Sequence, residues 1–464
     1  MSEQILSKIR LKDSKESLNF RPFKISSTSN NLLKPIVEAF ENSDKVELGY
    51  STMDKSKGMV KPTMKRKTIY LTGGALRDHL KGKTFKNYDL VTDATPQEIV
   101  MILKNSDTPI KRVSGDGQFD QHEIVFYPSR HDQSNQVMEI TVQKGQQKAH
   151  ITTLNTNVKN RMLSPHKAKF TLNIEQDAHT RDLTINALYL KLKNTDGENG
   201  ELIDPVGGAH DLKTGELVTI QQPEKAFEHD IYLPFRIANL ACRFSEDKNY
   251  PEKFIDALDK ISHNKEYDKK ILKNYYVMSL ENLDVNPAHY LKNLKQAHLL
   301  RHVFPGCTIT EIINDLPNNK ILTTAYLLFK NDTEMVRNLL LAQGYTKSDA
   351  DEIVKFMKLG QWAAGRTHET QLIHDFLTVP IRLPHIKIHD YLRLFGKGDL
   401  YAKVFKQDYS GINKKFVDTK SGYPTPNPSY TKLLGRVPDY DEMDNTRKML
   451  LDKAVKEKMS DGSQ

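Results

Sequence analysis

The chain has 464 residues, more than one ordinary hydrophobic core accommodates, so about three or four structural units are expected. Its formal net charge of +9 favours an anionic partner such as nucleic acid, although the same charge on a solvated surface would only aid solubility. Two distant cysteines, Cys242 and Cys307, and the lack of a long apolar run exclude a disulfide framework, a zinc site and a membrane span, and predict a cytoplasmic protein.

A basic extension is predicted over residues 1–65. Residues 1–67 contain 14 Lys and Arg against 8 Asp and Glu, a balance that suits either an RNA-binding arm or a solvated arm. Apolar residues at helical spacing in 32–40 predict a helix that packs on the following domain, and residues 51–67 have the composition of a loop. We expect the arm to contribute to RNA binding and to add little to a hydrophobic core.

A strand, a glycine turn and a helix are predicted at residues 69–80. The apolar run at 69–72 predicts the strand, and Gly73 and Gly74 directly precede a helical pattern. Glycines let a backbone approach a bulky anion closely, and the start of a helix favours phosphate. The segment therefore predicts a phosphate cradle, although a plain turn can have the same residues.

Charged residues follow in two further segments. Alternation in residues 88–91 predicts a strand that carries Asp89, and residues 93–98 have the signature of a helix start. Residues 181–188 then read Arg-Asp-Leu-Thr-Ile-Asn-Ala-Leu. Taken alone, Arg181 and Asp182 are most simply interpreted as a structural ion pair.

The three segments at 73–78, 88–96 and 181–188 together resemble the bacterial poly(A) polymerases and CCA-adding tRNA nucleotidyltransferases, within the polymerase β-like nucleotidyltransferase superfamily. The resemblance covers roughly residues 66–305. It implies an α+β fold, in which a nucleotidyltransferase head domain of mixed sheet and helices precedes an all-α neck, body and tail. The expected boundaries are 66–220 for the head, 221–284 for the neck, 285–375 for the body and 376–464 for the tail.

The resemblance implies a reaction with two Mg²⁺ ions held by two Asp residues that lie two apart on one strand and so share a face. Asp89 matches the second of them, but Asn87 stands at the first and brings no negative charge. Glu139, in the alternating strand at 137–142, matches the family's third acidic residue, with an exposed strand glutamate as the alternative. The implied catalytic residues are Asp89 and Glu139, and the implied metal ligands are Asp89 and Asn87.

The resemblance also implies a binding site for ATP or CTP. Its residues would be Gly73, Gly74, Arg77, Arg181, Asp182, Asn186 and Asp230. Thr180 replaces the first of two arginines that the family has before this Asp-Leu-Thr segment. Asp230 matches the Asp that recognises the base, but Leu233 stands where its arginine partner is expected, so base selection by that pair is expected to be lost.

RNA, either tRNA or another RNA 3′ end, is the partner that the resemblance implies, with no membrane contact and with a protein or ribonucleoprotein complex as a further partner. A tail with interleaved Lys, Arg and Tyr at residues 391–403 would suit RNA or form a solvated helical face. Two functions stay open. The chain either transfers a nucleotide, AMP before CMP, from NTP to an RNA 3′-OH, or is a catalytically inactive family member that serves as an RNA-binding or scaffold subunit.

Overall fold

A mixed eight-stranded sheet forms the centre of the first of two units into which the chain divides, Met1–Tyr267 and Asp268–Gln464. The computed structural model describes residues 23, 32–48, 52–54, 58–85, 87–114, 120, 122–131, 137–156, 170–193, 200–244, 249–262, 287–365 and 385–399. The predicted α+β class, with a mixed sheet and helices followed by a helical region, is confirmed. The domain boundaries stay predictions.

The strands of the first unit form two sheets. They are β1 (Thr52–Asp54), β2 (Gly58–Val60), β3 (Ile69–Thr72), β4 (Asn87–Thr92), β5 (Ile110–Arg112), β6 (Ile124–His131), β7 (Val137–Lys144), β8 (Gln147–Thr153), β9 (Tyr189–Lys191) and β10 (Leu202–Ile203). The first two pair with each other, and the large sheet has the order β10-β9-β3-β4-β8-β7-β6-β5. Only the pairs β4–β8 and β5–β6 are parallel. The parallel β4–β8 pair sets the register of the candidate site.

Helices of the first unit cover the sheet and continue beyond it. They are α1 (Leu33–Glu41), α2 (Gly73–Leu80), α3 (Pro96–Lys104), α4 (Ile174–Ala178), α5 (Gly208–Thr214), α6 (Pro223–His229), α7 (Leu233–Phe244) and α8 (Glu252–Ser262). The predicted helix start after residue 93 is confirmed, because Thr95 and Glu98 form a capping box at α3. None of the helices in the described ranges is long and apolar enough to cross a membrane.

The N-terminal helix α1 packs against α3, as the sequence predicts. Its residues Leu33, Ile36, Val37 and Phe40 are almost fully buried. The expectation that the arm adds little to the core is therefore wrong for this helix. Since these side chains shield apolar surface, deletion of the whole arm would expose the core as well as remove basic charge.

All the regular secondary structure in the described residues of the second unit is helical, with an irregular segment over 304–319. Its helices are α9 (Pro287–Gln296), α10 (Leu300–Val303), α11 (Lys320–Leu328), α12 (Thr333–Ala342), α13 (Lys347–Ala364) and α14 (His385–Arg393). The sequence predicts one helix over 318–342, but the structure has two, because the Asp332 side chain accepts a hydrogen bond from the Met335 N–H and caps a new helix start.

Tyr391, the first aromatic residue of the predicted RNA-binding tail, belongs to the core of the second unit. It is fully buried, and its ring packs on Phe356 and Phe395 with centroid distances of 5.1 and 5.4 Å. A Cβ at Gly360 would lie 2.6 Å from the Tyr391 hydroxyl, which explains a glycine inside α13. The prediction that Tyr391 lies on an RNA-binding surface is wrong, and residues 400–403 lie outside the described ranges.

The buried Tyr391 hydroxyl makes no hydrogen bond within the described part of the chain, and burial raises the Tyr391 pKa well above its usual value. We expect Tyr391→Phe to raise the free energy of unfolding by about 1 kcal/mol, because it removes a desolvated polar group without a partner. Tyr345→Phe is the control, since the Tyr345 hydroxyl lies 3.5 Å from Thr324 Oγ1, and it should lower stability. Urea unfolding followed by helical circular dichroism measures both; equal losses would contradict the expectation.

Candidate nucleotide site of the head domain

The predicted glycine turn lies where β3 passes directly into α2. Gly73 has a φ of +62°, a conformation that favours glycine. A Cβ at Gly73 would lie 3.1 Å from Asp89 Oδ2, and the Ala75 N–H donates to that oxygen at 3.3 Å. The turn thus brings Gly73, Gly74 and Asp89 together, and the Asp89 carboxylate faces the helix start. Burial raises the pKa of Asp89 above its usual value.

The register of the sheet decides which side chains accompany Asp89. In the parallel pair, Asn87 lies opposite Lys148 and Asp89 lies opposite His150. Residues two apart on a strand share a face, and so do directly paired residues. Asn87, Asp89, Lys148 and His150 therefore share one face of the sheet.

Glu139 lies on the same face as Asp89 but one strand further away. Thr141 pairs with His150, and Glu139 is two residues from Thr141 on β7. His150 Nδ1 is 3.2 Å from Glu139 Oε1, and Ser129 Oγ donates to the same oxygen at 2.8 Å. Burial alone would raise the Glu139 pKa, but the hydrogen bonds from His150 and Ser129 outweigh it and lower the pKa.

The side chain next to Asp89 on the neighbouring strand is thus His150, which the sequence did not single out. Its hydrogen bond to Glu139 raises the His150 pKa, against the effect of burial. The alternating segment at 149–153 is a signal for a strand, but only the pairing with β4 shows that His150 lies beside Asp89. Glu139 reaches the site through this imidazole.

These residues do not fit two magnesium ions. Two dications close together need several carboxylates, and the positions beside Asp89 hold an amide, an ammonium and an imidazole. In the described ranges no group of three or more His, Cys, Asp or Glu side chains could hold a metal ion. The like charge of Lys148 opposes a cation at this face.

Replacement of Asn87 by Asp together with His150 by Glu should add two carboxylates to this face, beside those of Asp89 and Glu139. We expect the double variant to bind Mn²⁺ at least about tenfold more tightly than the unsubstituted chain, because the added charges offset the repulsion between cation and Lys148. Isothermal titration with MnCl₂ measures the affinity. Asn87→Asp with His150→Gln is the matched control with one new charge. An unchanged affinity in the double variant would contradict the electrostatic account.

Arg77 is buried between the glycine turn and the loop that follows α4. Its Nη1 donates to Asn186 Oδ1 at 2.7 Å, and its Nε donates to Asp78 Oδ1 at 2.9 Å. Asp78 also accepts from Arg243 Nη2 of α7 at 2.9 Å. Burial lowers the pKa of Arg77, with Asp78 opposing this effect. Arg77 thus connects the turn, the loop and α7.

Arg181 is 7% exposed and pairs with Asp177, not with the adjacent Asp182. Its Nε and Nη2 each lie 3.0 Å from Asp177 Oδ2, and its Nη1 donates to the Asn186 carbonyl at 3.0 Å. The guanidinium also lies 4.7 Å from the Tyr189 ring centroid. Although burial opposes it, Tyr189 and Asp177 raise the pKa of Arg181. All three guanidinium nitrogens therefore have protein partners.

Arg236 joins Asp182 and Asp230, and Asn186 reaches it through Asp182. The sequence did not single out Arg236. Arg236 Nη2 donates to Asp182 Oδ2 at 2.9 Å and also pairs with Asp230 Oδ2. The Asn186 amide donates to Asp182 Oδ1 at 3.0 Å. Burial raises the pKa of Asp230, and Arg236 opposes the shift. Asp230 therefore has an arginine partner at position 236, although position 233 holds a leucine, and the expected loss of base selection stays a prediction.

The chain reaches this pairing by a break between two helices. Asp230 ends α6, and its Oδ1 accepts from the Tyr232 N–H at 3.0 Å. The next helix begins at Leu233, with Pro234 in its first turn, where the missing N–H is tolerated. Leu233 is fully buried, and Arg236 follows one turn into the helix. Pro234 was the available signal, since it marks a helix start.

Comparisons with known proteins recognise the head domain that carries these residues. A family model described as the poly(A) polymerase head domain matches residues 69–126 and 115–218. Poly(A) polymerase I of Escherichia coli O6:H1 is 28% identical over 174 residues, 38% of this chain and 34% of that enzyme. Residues 69–218 therefore form a head domain of the type found in poly(A) polymerases and CCA-adding enzymes. These enzymes are template-independent RNA nucleotidyltransferases.

Two further relatives lie on the CCA-adding side of the family. The CCA-adding enzyme of Lactobacillus helveticus is 26% identical over 312 residues, 66% of this chain and 67% of that enzyme. The structure of the Thermotoga maritima CCA-adding enzyme complexed with tRNA matches with a TM-score of 0.54 and 17% identity, covering 89% of this chain and 94% of the other. That likeness shows the fold. The chain spans only about a third to a half of the length of the poly(A) polymerases I that it matches.

Arg236 holds two carboxylates that would repel each other without it. We expect Arg236→Gln to lower the free energy of unfolding of the first unit by about 1–3 kcal/mol at pH 7, because Asp182 and Asp230 lose their cation. The loss should shrink as the pH falls, since protonation removes the unpaired charges.

Urea unfolding at pH 7 and pH 4.5 measures this effect. Arg337→Gln is the control, because it removes a half-buried pair with a single carboxylate, Asp351, and it should cost less than Arg236→Gln. Equal effects of the two substitutions would contradict the role of Arg236.

Proposed function

We propose that the chain is an RNA-binding member of the nucleotidyltransferase family that does not perform two-metal nucleotide transfer. The observation that carries the proposal is the face around Asp89, where Asn87, Lys148 and His150 stand beside one carboxylate. A loss of about 3–5 kcal/mol in transition-state stabilisation corresponds to roughly 10²- to 10⁴-fold in rate. The absence of two well-placed carboxylates supports a loss of at least that size.

RNA binding is supported by charge and by fold. The chain carries a net charge of +9, which favours a phosphate-rich partner. The Thermotoga maritima enzyme that shares its fold was solved with tRNA. The ligand would accordingly be a tRNA or another RNA 3′ end, and a protein or ribonucleoprotein complex is the setting in which an inactive member would serve.

Nucleotide recognition is proposed for a second group of residues, the Arg236 cluster. Arg236, Asp182 and Asp230 offer a forked cation and carboxylate oxygens, which can hydrogen-bond a base edge and a ribose hydroxyl. Arg236 keeps about a quarter of its side chain exposed, so this cluster is accessible. The Arg181 guanidinium is already engaged and would act by holding the loop.

The second candidate function is transfer of AMP, before CMP, to an RNA 3′-OH. The same Arg236 cluster favours it, because an arginine paired with an aspartate suits selection of a nucleotide base. This candidate requires metal binding at Asp89 without a carboxylate at position 87 and despite the positive charge of Lys148.

One experiment separates the two candidates. The full chain is incubated with end-labelled oligoadenylate or tRNA, Mg²⁺ or Mn²⁺, and each NTP in turn, while fluorescence anisotropy reports binding of the same RNA. We expect binding without extension of the RNA. The Asn87→Asp, His150→Glu variant should bind equally well and gain extension if the rest of the site is competent.

The control is Asp89→Asn, which removes the remaining carboxylate at the turn. Extension by the unsubstituted chain that disappears in Asp89→Asn would overturn the proposal and establish transfer. A chain that neither binds nor extends RNA would overturn both candidates.

A further inference from the structure

A cavity of about 660 Å³ lies in the first unit, away from the face around Asp89. Its walls are the extended segment 218–222 and parts of helices α6 and α8. The cavity is widely open to solvent, and its volume exceeds what one phosphate group needs. It is large enough for a nucleotide unit.

Backbone hydrogen bonds connect the wall of this cavity to the candidate nucleotide site. The Thr184 N–H donates to the Val218 carbonyl at 3.0 Å, and the Ile220 N–H donates to the Asp182 carbonyl at 3.2 Å. His229, another lining residue, directly precedes Asp230. The cavity and the Arg236 cluster therefore share two short segments of backbone.

The charged side chains that line the cavity are both lysines, Lys225 of α6 and Lys253 of α8. Among the described residues around it, none of the lining side chains is acidic. Neither lysine has an ion pair with a carboxylate in the described ranges, and Lys253 Nζ lies 5.3 Å from the Phe254 ring centroid. On the same two helices, by contrast, Lys260 pairs with Glu224 at 2.9 Å. Within the described ranges, no ion pair therefore neutralises either cavity lysine.

The remaining walls offer neutral polar and apolar surface. Gln221 Oε1 lies 3.0 Å from His229 Nδ1, and Thr219 adds a hydroxyl. Phe254 is fully buried and packs on Phe227 at 5.8 Å, which makes one wall rigid. Amide and hydroxyl groups can bond a sugar or a base edge, while lysines act as point charges for phosphate.

We propose that this cavity holds a nucleotide unit of the bound RNA, with Lys225 and Lys253 opposing the phosphates on either side of it. The inference rests on the proposed RNA binding and names where the strand lies. Both lysines are exposed and stand on different helices, which suits a phosphate track that continues past the cavity. The shared backbone then leads the strand towards the Arg236 cluster.

Salt dependence of RNA affinity tests the proposal. Full-length chain is titrated with fluorescein-labelled single-stranded oligoadenylate at several KCl concentrations, and anisotropy gives the dissociation constant. For Lys225→Gln with Lys253→Gln, the slope of log affinity against log salt should shrink by about 1.4, since each phosphate contact on a single strand contributes about 0.7. Lys225→Arg with Lys253→Arg should keep the original slope.

The matched control is Lys260→Gln, which removes one charge from α8 outside the cavity. Its slope should change much less than that of the glutamine pair. The cavity proposal fails, and the proposed RNA binding stands, in either of two outcomes. In one, Lys260→Gln and the glutamine pair change the slope equally; in the other, the glutamine pair keeps the original slope while the unsubstituted chain binds RNA. If the unsubstituted chain does not bind RNA, the proposed function fails as well.

A parallel titration with AMP distinguishes free nucleotide from RNA. Loss of AMP binding in the glutamine pair, with the RNA slope unchanged, would assign the cavity to a free nucleotide and overturn the RNA proposal. No effect on AMP together with the smaller RNA slope is the expected result.

Discussion

A network of arginines and aspartates, linked in the middle by one neutral amide, holds the candidate site of this protein together. It runs through Arg243, Asp78, Arg77, Asn186, Asp182, Arg236 and Asp230. Its members come from α2, from the loop after α4 and from the region of α6 and α7, so three distant segments of the first unit depend on one network. Since buried charges are tolerated only when they are paired, loss of one member would leave others uncompensated.

This network explains how the head fold persists around an altered cleft. The polar side chains that position the loop and the helix start hydrogen-bond to other protein groups. All three guanidinium nitrogens of Arg181, for example, have such partners. The residues beside Asp89 do not take part in these contacts. Asn87, Lys148 and His150 can therefore stand there while the fold remains. The head-domain fold and the charge of the cleft are separate properties of this chain.

Much of the architecture could be predicted from sequence because its signals are local. The strand at 69–72, the glycine turn and the capping box at Thr95 each depend on neighbouring residues. Predictions failed where a short polar segment interrupts a helical pattern, as at Asp332, and where burial removes an aromatic residue from the surface, as at Tyr391. Capping competes with helix continuation, and burial depends on partners distant in sequence.

Residue type and spacing by themselves predicted the strand, the glycine turn and the helix at 69–80. The resemblance of three sequence segments to a known family implied the head fold, the place of Asp89 beside the turn, and the amide of Asn87 where a carboxylate is expected. Only the tertiary structure decided that His150 and Lys148 flank Asp89, since strand register joins residues about 60 positions apart. The tertiary structure also decided that Arg236 forms the ion pair with Asp230, because the helix break at 230–232 changes which residue faces the carboxylate. Spacing along the chain predicts a partner only while the backbone keeps one regular geometry.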